Sequence, residues 1–127
     1  MTKVKQYTIE YMIRSSPVVL YNFLITPTGL QQWFADEVDN DGNTFYFTWN
    51  GSTETAELIS TEDDEFIRFR WDYYDEDQYF EFRIEKTEIT DDTILYITDF
   101  AEENEIEGQK RLWNAQIKNL TMRIGAS

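Results

Sequence analysis

Glu54, Asp99 and Gln116 are the side chains whose types and placement could do chemistry in this 127-residue chain. Asn50-Gly51 places Glu54, because a type I′ hairpin turn needs two residues at positive φ and this pair tolerates them. With those two as the loop, Trp49 faces Ser52, Phe47 faces Glu54 and Phe45 faces Ala56, and directly opposed residues share a face. Glu54 then falls among Trp49, Phe47, Phe45, Ala56 and Leu58. A carboxylate enclosed by such neighbours either pairs or takes a raised pKa, which suits a general base or a polar ligand contact. The plainer alternative is that the adjacent turn lets Glu54 reach water at a cavity mouth. Asp99, on one strand face with Leu95 and Ile97, and Gln116, on the closing helix, are its expected companions.

The rest of the inventory narrows that chemistry. The chain has no His and no Cys, which removes Ser-His and Cys-His pairs, cysteine zinc sites and disulfides together. An enzyme is therefore the less expected outcome, and no catalytic residue, metal or cofactor is assigned. Asp39-Asn40-Asp41-Gly42 resembles a calcium loop only in part: with Gly42 sixth, Thr48 falls twelfth, where a bidentate Glu is required. It reads as a turn. Zero cysteines suit a reducing compartment, so a cytoplasmic address is expected. There is no apolar run of the about eighteen residues a membrane span needs and no leader pattern, so no membrane insertion is expected. Twenty-five acidic against eleven basic residues give a net charge of −14, which disfavours nucleic acid and anionic lipid surfaces as partners.

These residues need elements to position them. Residues 1–127 read as one domain, without linker or repeat. Lys3–Arg14 reads as a strand with Tyr7, Ile9, Tyr11 and Ile13 on one face. Ser16-Pro17 and Thr26-Pro27 each pair an N-cap residue with a proline at the first helical position, and apolar residues follow at helical spacing: Val19, Leu20, Phe23 and Leu24, then Leu30, Trp33 and Phe34. Glu37–Asn40 has no clear assignment. Strands are expected over Thr44–Trp49, Ser52–Ser60, Glu65–Asp72, Gln78–Thr87 and Thr93–Phe100, alternating apolar with polar. Arg68, Arg70 and Arg83 are expected to pair with Glu57, Glu81 or Glu85 on the outer face, where Tyr46, Tyr79 and Tyr96 also lie, with Tyr73 and Tyr74 in a loop. From about Asn104 to Arg123 a helix carries Trp113, Ile117, Leu120 and Ile124 as one stripe. Strand, two short helices, antiparallel strands and one long helix make an α+β fold, a curved sheet around the closing helix.

In that order of parts the chain resembles the START-like superfamily, also called the Bet v 1-like or helix-grip fold, and within it the group related to the Hsp90-ATPase-activator C-terminal domain. Ser16-Pro17, Leu20-Tyr21 with Phe23-Leu24, Thr26-Pro27, Trp33-Phe34 and Gln109-Lys-Arg-Leu-Trp113 carry the resemblance across essentially the whole chain. It implies a hydrophobic cavity between sheet and closing helix that binds a small apolar molecule. Phe45, Phe47, Phe69, Phe80 and Phe82 are then expected to line it, together with Trp49, Trp71 and Trp113, and with Glu54, Asp99 and Gln116 as polar contacts. A core simply filled by these rings stays open as the alternative. In that case the resemblance implies a protein-binding, co-chaperone-like module, with a protein partner or homodimer. An enzyme of the polyketide-cyclase type, using Glu54 or Asp99 as base, is the third reading.

Overall fold

The computed structural model describes residues 3–87 and 92–125; the outermost ends of the expected 1–127 unit lie outside them. The chain runs β1 (Val4–Ile13), α1 (Pro17–Ile25), α2 (Pro27–Leu30), β2 (Glu37–Asp41), β3 (Thr44–Trp49), β4 (Ser52–Glu62), β5 (Phe66–Trp71), β6 (Phe80–Lys86), β7 (Thr93–Glu102), a 3₁₀ turn (Glu103–Glu105) and α3 (Ile106–Ile124). The strands form one antiparallel sheet in the order β1-β7-β6-β5-β4-β3-β2. The first strand therefore pairs with the last, and α1 and α2 carry the chain from one sheet edge to the other.

Both helix starts form as their caps dictate. Ser16 Oγ accepts the Val19 N–H at 3.2 Å and Thr26 Oγ1 accepts the Gly29 N–H at 2.9 Å. The Thr26 hydroxyl also donates to the Asn22 carbonyl at 2.7 Å, so one residue closes α1 and opens α2. The two helices touch through backbone: a Cβ on Gly29 would lie 2.4 Å from the Asn22 carbonyl oxygen and 2.7 Å from Phe23 Cα, so only glycine fits. Leu20, Tyr21 and Leu24 are the buried face of α1, while Val19, expected inward, is exposed. Leu30, Trp33 and Phe34 are all buried.

The β3–β4 hairpin has the expected register, Phe45 opposite Ala56, Phe47 opposite Glu54 and Trp49 opposite Ser52, with Asn50 at φ 49° and Gly51 at φ 79°. β4 runs on to Glu62, past the expected Ser60, across a register shift between Leu58 and Ser60. A bulge of this kind bends a strand, which suits a sheet that curves. The unassigned Glu37–Asn40 segment belongs to edge strand β2, held on β3 with Val38 inward, and the Asp39–Gly42 run closes their hairpin with Gly42 at φ 61°. On the outer face Glu81 takes both Arg68 at 2.7 Å and Arg83 at 3.3 Å. Arg70 departs from the expected pairing, since its guanidinium donates to the carbonyls of Gln78 and Glu76. Helix α3 buries Trp113, Ile117 and Leu120 on the inner side of the sheet. Helix and curved sheet together are the helix-grip arrangement.

A candidate ligand cavity between sheet and closing helix

Packing is complete over one part of the sheet and incomplete over the other. At the incomplete end lies a cavity of about 730 Å³, open to solvent. Its walls come from the β3–β4 hairpin (Trp49, Glu54), the end of β5 and the loop after it (Trp71, Tyr73, Tyr74), the end of β7 (Asp99, Ala101, Glu102) and α3 (Leu112, Trp113, Gln116).

Phe34 separates this cavity from the packed layer. Its ring stacks on Trp113 at 5.7 Å and meets Phe47 edge-on at 5.1 Å. Its carbonyl accepts two bonds, from Trp49 Nε1 at 2.8 Å and from Gln116 Nε2 at 2.9 Å. One backbone oxygen thus ties the hairpin to α3, and the cap of α2 that sets where Phe34 falls also sets the cavity floor.

Asp99 is the buried charge of the site, 5% exposed. Tyr74 Oη donates to its Oδ1 at 2.6 Å and the Phe100 N–H donates to the same oxygen at 2.8 Å. Tyr7 Oη donates to Oδ2 at 3.5 Å and itself accepts from Trp113 Nε1 at 3.2 Å. Burial pushes the Asp99 carboxyl up to about 6, against the opposing pull of these hydrogen bonds, Tyr74 first. Burial, followed by the Asp99 charge, also raises the phenols of Tyr7 and Tyr74 above their ordinary value. Both therefore stay protonated and act as donors to a carboxylate at neutral pH. At the mouth, Tyr73 stacks on Trp71 with ring centres 6.0 Å apart. Although the Tyr73 residue is 63% exposed, desolvation and then the Glu54 carboxylate raise its phenol too, so its hydroxyl end faces the acidic wall.

Of the residues expected to line a site, Trp49, Glu54, Trp71, Asp99, Trp113 and Gln116 border the cavity. Phe45, Phe47, Phe69, Phe80 and Phe82 lie instead in the packed layer beneath it. Glu54 is exposed rather than enclosed, because its position three residues past Gly51 leaves it at the mouth. Tyr73 and Tyr74, expected as loop rings beside an outer face, turn inward and complete the site. Sequence reasoning also missed Phe34 as floor and Tyr7 as partner of Asp99. The face shared by Tyr7 and Ile13 was legible, but its pairing opposite Asp99 across β1 and β7 was not. Among the described residues no group of three or more carboxylates is placed to hold a metal, and no helix is long and apolar enough to cross a membrane.

Seven antiparallel strands wrapped on a closing helix, with a cavity between them, define the class: the model of the START-like superfamily domain matches residues 1–126, and the chain belongs to that family. Among solved structures, the solution structure of BfR322 from Bacteroides fragilis is 35% identical, with a TM-score of 0.69 over 100% of this chain and 94% of that one. The Aha1 dimer from Colwellia psychrerythraea is similar in fold at 18% identity, with a TM-score of 0.77 over 92% and 93% of the two chains. DynU16, from the dynemicin biosynthetic locus, is similar in fold at 14% identity and a TM-score of 0.79, and this chain spans 47% of it. No curated protein matches the sequence.

Proposed function

We propose that this START-like domain binds a small hydrophobic molecule between the sheet and α3. The observation that carries the reading is the open cavity of about 730 Å³, lined by Trp49, Trp71 and Trp113 and holding the buried Asp99. Its volume lies in the range of about 300–1,000 Å³ usual for small-molecule sites, and an aromatic wall with a few polar groups is their usual make-up. Asp99 adds weight, since a buried carboxylate with a raised pKa opposes folding and is retained where it serves a site.

The test uses Nile red, a neutral apolar dye, with an Ala101→Trp variant that fills the cavity from β7. Saturable binding of one dye per chain, lost in Ala101→Trp while the circular dichroism spectrum is kept, is the expected result. Equal binding by both proteins, or no saturable binding, would overturn the proposal. A second reading is favoured by the same carboxyl: a group with a pKa of about 6, hydrogen-bonded to Tyr74, is suited to proton transfer on a bound ligand, as in a polyketide-cyclase-like enzyme. For that reading Asp99→Asn abolishes turnover of a bound compound without releasing it, whereas a carrier shows no turnover to lose.

A further inference from the structure

The cavity has a charge as well as a shape. Its charged lining consists of Glu54, Asp99, Glu102 and Glu105, and among the described residues that border it there is no Lys or Arg. An anionic ligand, such as a fatty acid, would bring its carboxylate to these like charges with no cation to receive it.

The aromatic wall has the complementary property. Trp49 and Trp71 meet at 56° with ring centres 6.0 Å apart, Tyr73 lies against Trp71, and Tyr74 meets Tyr73 edge-on at 5.3 Å. Tyr74 in turn holds Asp99. Trp71 and Tyr73 stack nearly parallel, with Trp49 and Tyr74 at angles to them; this aromatic wall, ending on a carboxylate, presents electron-rich faces, and such faces attract cations. The net charge of −14 draws cations towards the mouth from solution.

Resting on the reading of this cavity as a binding site, we propose that its ligand is a hydrophobic cation, an alkyl or aryl amine or quaternary ammonium. The cationic head lies among Trp71, Tyr73, Tyr74 and Asp99, and the apolar part lies against Leu112 and Trp113. Tyr7 from β1 and Tyr74 from the loop after β5 donate to Asp99 and orient it, while Glu54 and Glu102 add negative charge at the rim.

The test compares decyltrimethylammonium, decanol and decanoate, below their micellar concentrations and in about 0.15 M salt to screen the surface charge. Tryptophan fluorescence reads binding, because Trp49, Trp71 and Trp113 all border the cavity. The cation is expected to saturate at one per chain and to bind about tenfold or more tighter than decanol, with decanoate the weakest. Asp99→Asn lowers the ratio of cation to decanol affinity; if that variant does not fold, Glu54→Gln lowers it by a smaller factor. Ala101→Trp, which keeps the net charge, abolishes cation binding. Cation binding that survives in Ala101→Trp is surface binding and overturns the inference. Decanol or decanoate binding as tightly as the cation overturns the inference and leaves the cavity reading standing. No binding by any of the three overturns both.

Discussion

Phe45, Phe47, Phe69, Phe80 and Phe82 lie under the sheet's inner face at 0–3% exposure, while Trp49, Trp71 and Trp113 border a solvent-reached cavity; Phe80 and Trp71 are only 5.0 Å apart between ring centres. Both groups are large aromatics on one concave surface, and the difference lies in the polar atom. A phenylalanine has nothing to satisfy and can sit wherever it packs. An indole carries an N–H that needs an acceptor, and Trp49 finds one in the Phe34 carbonyl, Trp113 in the Tyr7 hydroxyl. Among the rings expected to line the cavity, type thus separates the filling phenylalanines from the lining tryptophans; Phe34, at the cavity floor, and Trp33, buried in the core with its N–H on the Phe23 carbonyl, do not follow that division.

Truncation at the two ends breaks or supports that contrast most directly. Phe69→Ala is expected to destabilise the fold by about 3–5 kcal/mol in urea unfolding, because a ring at full burial leaves an unfilled space. Trp49→Ala, at a mouth already open, is expected to lose under about 2 kcal/mol. The reverse order would mean that the cavity end, not the phenylalanine layer, holds the sheet to α3.

Asp99→Asn tests the other difference, that the cavity end carries a charge which opposes folding. Asp99 titrates near 6 in the folded protein against an ordinary value of 3.8, so the native state holds its proton more tightly than the unfolded chain does. Protonation therefore favours folding. Stability relative to the non-titrating Asn variant is highest below pH 4, falls as pH rises from 4 to 6, and is flat above. The groups facing it, Tyr7 and Tyr74, have raised phenols and do not titrate in that window. The Asn variant, which can still accept from Tyr74 and the Phe100 N–H, is expected to be more stable than the natural chain by about 3 kcal/mol at pH 8 and equal to it at pH 4. Denaturation midpoints across that range check this, and a constant offset would show that ionisation of Asp99 is not the cause.

The smallest effect belongs to Glu54→Gln. Glu54 is an exposed carboxylate at the mouth beside the Tyr73 hydroxyl, which a Gln can still meet, so stability should change by less than about 0.5 kcal/mol. A larger loss would place Glu54 among the residues that hold the fold rather than those that border the cavity.

What could be read from residue order was local in its physics. Ser16-Pro17 and Thr26-Pro27 start helices because a cap and a fixed φ act within three residues, and Asn50-Gly51 sets the β3–β4 register because a two-residue turn leaves it no freedom. Strand parity placed Leu95, Ile97 and Asp99 on one face, and helical spacing placed Trp113, Ile117 and Leu120 on one stripe. The candidate site was half legible by the same means, through Trp49, Trp71, Asp99, Trp113 and Gln116. Its other half depends on contacts that no local period encodes: Tyr7 reaches Asp99 only because β1 closes on β7, Tyr74 reaches it only because a loop folds back, and Gln116 meets the Phe34 carbonyl across 82 residues of chain. Alternation says which face a ring takes, whereas whether that face is filled or left open depends on how sheet, loop and helix meet, and only the tertiary structure decides that.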